Sequence, residues 1–401
     1  MKSVKKEIIN NIISFSLIDI LGLLIPIITM PILTRALGVE VYGQYLLFMS
    51  VIFFGHTIID YGVQYVGVRS ISNTNDKHTI ANMYEGFQGI RWLFGMVYIV
   101  FMAIYFSFFI ENTITDGVVV YSSLYIVGYI FTSAWFYQAK MDMRILMLIT
   151  LFSRLINLIV ILFFIDSPED IDRAILGATV PVFFSGVLLY YIIRRDYNCR
   201  LLCVNGIGNR IKSGFNVFVG ILAPNLYNAL PVIVMGAIYG AVDFALFAVG
   251  MRICGIILTV QGVLSKSVFP YLSRSKGEHV SEMMAVNLLI SIPIVLYFYI
   301  FGDVTLCFLL GDDYSDNVYL DVLLIGMIFL SIASSFGEGY LIPKGYDRLY
   351  RDISYKVSIF SAIINVILIY FFGIFGGAVG LTFARFMFAL VFYIGYRKVR
   401  V

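Results

Sequence analysis

Between Arg144 and Arg195 the chain reads RILMLITLFSRLINLIVILFFIDSPEDIDRAILGATVPVFFSGVLLYYIIRR. Two apolar runs, 145–165 and 174–193, flank an acidic gap holding Asp166, Glu169, Asp170 and Asp172, and arginine stands at both outer ends. Each run is about 20 residues long, which is what a helix needs to cross roughly 30 Å of hydrocarbon. Only helices and closed barrels satisfy every backbone polar group inside lipid. Barrel strands alternate apolar with polar residues, whereas these runs are continuous. The stretch reads as two membrane helices with an acidic loop on one side and basic loops on the other.

The same unit repeats in both directions. Twelve runs emerge, at 8–33, 41–68, 88–110, 118–136, 145–165, 174–193, 215–237, 242–270, 286–302, 318–341, 354–372 and 376–393. Lys2, Lys5 and Lys6 precede the first. Basic residues then return at the end of, or after, every second run: Arg69 and Lys77; Lys140 and Arg144; Arg194, Arg195, Arg200, Arg210 and Lys212; Lys266, Arg274 and Lys276; Lys344, Arg348 and Arg351; Arg397, Lys398 and Arg400. The intervening gaps hold only Arg35 and Arg173. Cytoplasmic loops retain Lys and Arg. The pattern predicts an all-α integral membrane protein with twelve transmembrane helices and both termini cytoplasmic.

Composition agrees, at 60% hydrophobic and 13% charged, against about 25% charged in soluble domains. Mean hydropathy is +0.91. The net charge of +3 is topology written as charge and carries no implication of nucleic-acid binding. The first run is too long for a cleavable signal peptide and lacks a small-residue cleavage site. Cys199 and Cys203 share a loop expected on the reducing side, and the three histidines (His56, His78, His279) supply no zinc spacing. No Ser/His/Asp set, phosphate-binding glycine loop or paired carboxylate stands in a context that suits catalysis, so neither an enzyme nor a cofactor is expected.

The longest polar interruption, 194–213, leaves six runs on each side. The chain divides accordingly into an amino-terminal lobe (1–196), a cytoplasmic linker (197–213) and a carboxyl-terminal lobe (214–401). The lobes echo each other: Leu37-Gly38 is followed by Glu40 and Tyr42, and Tyr239-Gly240 by Asp243 and Phe244. An even number of spans per half gives both the same orientation, so the two six-helix bundles are pseudo-symmetric about the membrane normal.

An ionisable group in hydrocarbon costs about 2.5–3.5 kcal/mol or more, so each one needs a partner, water or a function. At about 1.5 Å per residue, Arg252 lies roughly 15 Å beyond Val242, and Asp19 roughly 16 Å beyond Ile8. Both stand near mid-depth, one in each half. They are candidates for function, with a structural Asp–Arg pair as the alternative. Arg154 and Arg385 sit shallower and suit a cavity open to the cytoplasm, or snorkelling to the headgroups. Arg91, Lys356, Glu338 and Asp60 lie within two turns of the cytoplasmic boundary, where interfacial anchoring competes with gating. Arg35 caps the first helix or meets an external anion. Pro224 and Pro231 delete backbone hydrogen bonds in the seventh run, and Asn225 and Asn228 share a face there. A broken helix presenting amides suits a hydrated site.

PILTRALG (Pro31 to Gly38), VYGQY (Val41 to Tyr45) and DYG (Asp60 to Gly62) resemble the Wzx-type polysaccharide-unit flippases, or O-antigen transporters. So do LYNALPVIVMG (Leu226 to Gly236), FAVGMRI (Phe247 to Ile253) and VFPYLSR (Val268 to Arg274). The resemblance implies the two-lobed fold of the multidrug/oligosaccharidyl-lipid/polysaccharide exporter superfamily, in the bacterial cytoplasmic membrane. It implies an undecaprenyl-pyrophosphate-linked glycan as substrate, surrounded by membrane lipids, with a glycan polymerase and chain-length regulator as partners. Arg252, Arg154 and Arg385, with Asn225 and Asn228, then become substrate-binding candidates. Asp19, Asp60, Arg35 and Glu338 become candidates for coupling or gating. A cation-coupled exporter of organic cations is the alternative within the same superfamily. Related lipid flippases carry cationic residues on the first helix, where this chain has Asp19 instead.

Overall fold

A computed structural model describes the backbone of residues 2–72, 74–109, 117–200, 207–274, 279–315 and 317–400. Within these, side chains are described except at 2–21, 23, 24, 109, 213, 216, 263, 265–274 and 347. The described residues are helical almost throughout and contain no strand. In order they form α1 (Lys2–Asp60), α2 (Val63–Ser72), α3 (Lys77–Phe109), α4 (Val118–Thr132), α5 (Ala134–Ala139), α6 (Met143–Phe164) and α7 (Ile171–Tyr197). There follow α8 (Ile207–Asn228), α9 (Leu230–Ile238), α10 (Ala241–Arg274), α11 (Val280–Leu310), α12 (Val318–Phe336) and α13 (Asp347–Arg400).

Ten helices among the described residues are long and apolar enough to cross a membrane, rather than twelve. The difference lies at two glycines. Runs 8–33 and 41–68 share α1, which is non-helical only at Gly38 (φ 73°, ψ 168°). Runs 354–372 and 376–393 share α13, interrupted at Gly373 (φ 61°, ψ −143°). Both conformations are open essentially to glycine alone. At Gly373 the chain doubles back: Gly377 stands against Ile369, and Gly380 against Asn365. A turn made by one residue leaves no polar loop to separate the helices.

Other runs break where their local chemistry demands it. Run 41–68 is interrupted by Tyr61 and Gly62 (φ 43° and 77°), and run 118–136 by Ser133 (φ 44°). Run 215–237 breaks at Ala229, between α8 and α9, because Pro231 has no N–H to donate to the preceding turn. Run 318–341 passes from α12 into a π-helical segment, Gly337–Leu341. Run 286–302 is shorter than the observed α11, which continues to Gly311 (φ 113°). A backbone in lipid stays helical until water or glycine releases it.

The outer faces carry large exposed apolar side chains, Phe163 at 72% and Tyr370 at 81% exposure among them. Water does not tolerate such a continuous apolar surface, whereas lipid does. The chain is a multi-pass membrane protein.

It forms two compact units, Met1–Leu222 and Ala223–Val401. The division falls inside α8 rather than in the polar stretch 197–213. The first turns of α8 are fastened to the first unit. Tyr61 is stacked between Phe94 and Phe218, at 4.4 Å from each ring. The Arg210 guanidinium covers the Phe87 ring at 5.3 Å and donates to the Met83 carbonyl at 3.0 Å. Upstream, Glu85 accepts the Arg200 backbone N–H at 2.7 Å.

Within the first unit α4 and α7 touch backbone to backbone. A Cβ on Gly186 would collide with the Gly128 carbonyl, and one on Gly128 would stand 2.5 Å from the Phe183 Cα. Membrane helices lack a hydrophobic drive to associate, so close approach of small residues supplies the attraction. Gly186→Val should push these helices apart and lower stability by about 1–3 kcal/mol, the usual cost of overpacking. Thermal unfolding in detergent checks this; an unchanged midpoint would mean that the contact carries no stability.

Candidate functional site

The left-handed turn at Ser133 ends α4 early and leaves its last carbonyls without helical partners. Side chains of α3 take them up. Arg91 Nη1 donates to the Ile130 carbonyl at 2.7 Å, and Nη2 to that of Tyr129 at 3.1 Å. Gln88 Nε2 donates to Ile130 as well, at 2.6 Å. A cation at a helix carboxyl terminus is also favoured by the helix dipole. Arg91 Nε meanwhile donates to Asp60 Oδ1 at 3.1 Å, with the arginine side chain 2% exposed and the carboxylate 18%. Tyr129 Oη donates to the other carboxylate oxygen at 2.6 Å. Its ring stacks on His56 at 3.7 Å, and Tyr125 lies beyond His56 at 5.7 Å. Asp60, a gating candidate, is therefore held in a buried ion pair. Arg91, expected at the interface, is the enclosed centre of a network joining α1, α3 and α4. The signal was available in the sequence: both charges lie on consecutive runs near the same boundary.

Arg154, on α6, is half-buried and reaches across to α1 rather than along its own helix. A Cβ built on Gly22 would lie 3.1 Å from Nη1 and 3.2 Å from Nη2. Tyr125 also feels its charge. Asp19 falls in α1, and its side chain lies outside the described residues. Arg35 is exposed, three residues before the break at Gly38.

In the second unit Arg252 is half-buried on α10. Asn225 and Asn228 are half-buried just before the break at Ala229, whose N–H still bonds the Asn225 carbonyl at 2.9 Å. Arg385 is 2% exposed. It was expected beside an open cavity and instead is enclosed, donating to the Leu323 carbonyl at 3.0 Å. Gly326 makes the room: a Cβ there would stand 2.9 Å from the arginine Cδ and Nη1. Glu338 is exposed on the π segment and accepts from Ser334 at 3.4 Å.

A second network went unread in the sequence. Gln261 Nε2 donates to Ser331 Oγ at 2.6 Å and to the Asn287 carbonyl at 3.2 Å. Asn287 Nδ2 donates to Ser335 at 2.9 Å, and Ser331 to Ser291 at 2.9 Å. It ties α10, α11 and α12 together through side chains that are neutral. The clue was spacing, since Asn287–Ser291 and Ser331–Ser335 are each one helical turn apart.

Each unit thus presents one half-buried arginine near the middle of an apolar helix, Arg154 in the first and Arg252 in the second. A guanidinium offers planar paired donors that match phosphate oxygens and keeps its charge in lipid. Each of these groups, within its own unit, suits an anion held away from bulk water.

Similarity to known proteins is extensive. A Shigella dysenteriae protein named as an O-antigen transporter is 22% identical over 396 residues, covering 95% of this chain and 98% of its own length. One from Escherichia coli (strain K12), named likewise, is 21% identical over 387 residues, covering 92% and 91%. Among solved structures, the lipid II flippase MurJ in an inward closed conformation superposes with a TM-score of 0.72 at 13% identity, covering 98% of this chain and 88% of that one. An inward-facing multidrug transporter of the MATE family, in the MOP superfamily, gives 0.71 at 14% identity, covering 94% of each. These two share its fold. The polysaccharide biosynthesis protein family matches residues 8–276, well over half of the sequence. The chain belongs to that family.

Proposed function

We propose that this protein is a flippase, carrying undecaprenyl-pyrophosphate-linked oligosaccharide units from the inner to the outer leaflet of the bacterial cytoplasmic membrane. The carried units would feed O-antigen or capsule-type surface polysaccharide. The observation that carries the reading is the near full-length match to two proteins named as O-antigen transporters. The physics supports it. A diphosphate headgroup bearing sugars is excluded from hydrocarbon, while its polyprenyl tail stays in lipid. The protein need offer only a hydrated, cationic path for the head.

In this reading the ten long helices become twelve spans through the breaks at Gly38 and Gly373. Six spans form each lobe, both termini are cytoplasmic, and the lobes alternate access. Arg252 and Arg154 meet the diphosphate, and Asn225 and Asn228 hydrate the broken seventh span. Arg385 acts from behind by fixing α12 against α13. Asp19, Asp60, Arg35 and Glu338 are the acidic and basic groups available for coupling or gating. A glycan polymerase with its chain-length regulator would consume the product outside.

Deletion of the gene tests the proposal. Lipid-linked repeat units should accumulate on the cytoplasmic leaflet and surface glycan should disappear. Unchanged glycan with new sensitivity to organic cations would instead indicate a drug exporter.

A further inference from the structure

Resting on that reading, we propose that Gly22 is a positioning residue for the diphosphate-binding charge: it is the seat on which the Arg154 guanidinium rests. Gly22 lies near the centre of the run 8–33, and Arg154 near the centre of 145–165. From Leu17 to Ile25 it is the one small residue among bulky aliphatic ones and Asp19. Glycine inside a helix weakens it relative to alanine, so its presence in such a run calls for room rather than flexibility.

The room is taken by Arg154. The two terminal nitrogens lie almost equidistant from the Gly22 Cβ position, at 3.1 and 3.2 Å, with Cζ behind them at 3.5 Å. The head of the side chain therefore abuts α1, and its stem spans the gap from α6. An arginine on a lipid-embedded helix lowers its energy by stretching toward the headgroups. Here that escape is not taken. The guanidinium stands against a second helix instead. A cation carried by α6 is thus seated against α1, where a diphosphate in transit can meet it. A methyl at position 22 would push the guanidinium by a few tenths of an ångström, and a larger side chain would displace it from this position.

The test uses the full-length protein in detergent with two probes, undecaprenyl pyrophosphate and undecaprenol, which share a tail and differ in the charged head. Gly22→Leu should weaken undecaprenyl pyrophosphate binding at least tenfold and leave undecaprenol binding unchanged. Gly22→Ala should give a smaller loss in the same direction and guards against misfolding of the larger variant. In an Arg154→Gln background, Gly22→Leu should add nothing further, because the two changes remove one interaction. Equal loss for both probes, or a full additional loss in the Arg154→Gln background, would assign Gly22 to packing and overturn the proposal. Unchanged undecaprenyl pyrophosphate binding in Gly22→Leu would overturn it too, while leaving the flippase reading intact. A native protein that binds neither probe would remove that reading and the seat together.

Discussion

Arg91→Leu is expected to destabilise the first unit by about 3–5 kcal/mol, the usual result of removing one partner from a buried ion pair. The substitution strips Asp60 of its counter-charge at a carboxyl-terminal helix end, where the dipole already disfavours an anion. It also orphans the Tyr129 carbonyl and removes one of the donors to the Ile130 carbonyl, which keeps Gln88. Leucine fills part of the volume, so the loss is electrostatic rather than a cavity. A lowered unfolding midpoint in detergent, with less protein recovered from membranes, is the expected readout. Asp60→Leu added to Arg91→Leu should recover part of the loss, because no unpaired charge then remains. A single variant that melts with the native protein, or a double variant worse than the sum of its parts, would mean that the pair does not hold these helices.

Arg252→Ala is expected to behave in the opposite way, leaving folding intact and stopping transport. Arg252 is half-buried, unlike the enclosed Arg91 and Arg385. Its side chain is therefore less completely enclosed by protein than theirs. Surface glycan should fall at least tenfold with unchanged amounts of protein in the membrane. Arg252→Lys should fall between the two, since an ammonium keeps the charge but not the paired planar donors. Full glycan assembly by Arg252→Ala would end the case for this residue as the diphosphate partner.

Hydropathy was enough to locate the helices, because the bilayer sets their length and lipid forbids exposed backbone. It was not enough to say where they stop or which way a side chain faces. Gly38 was legible as a helix end, but Gly373 was read only as the gap before Gly376. The depth of Arg385 was legible as well, yet its enclosure depends on Gly326, more than fifty positions away in sequence. Arg91 shows the same limit. Its charge was noted, but its task is to satisfy carbonyls released by a left-handed serine, and no composition or period announces that turn. The network around Gln261 consists of small neutral groups, which a search for charge in lipid passes over. Partnership across helices is a tertiary property, and single runs do not record it.

The fastening of α8 has a practical side for anyone exchanging halves between relatives to change which glycan is handled. A chimaera joined in the polar loop would set a foreign helix face against Tyr61 and Phe94. The crossover belongs after Leu222, so that Arg210 and Phe218 travel with the surface they were selected to fit.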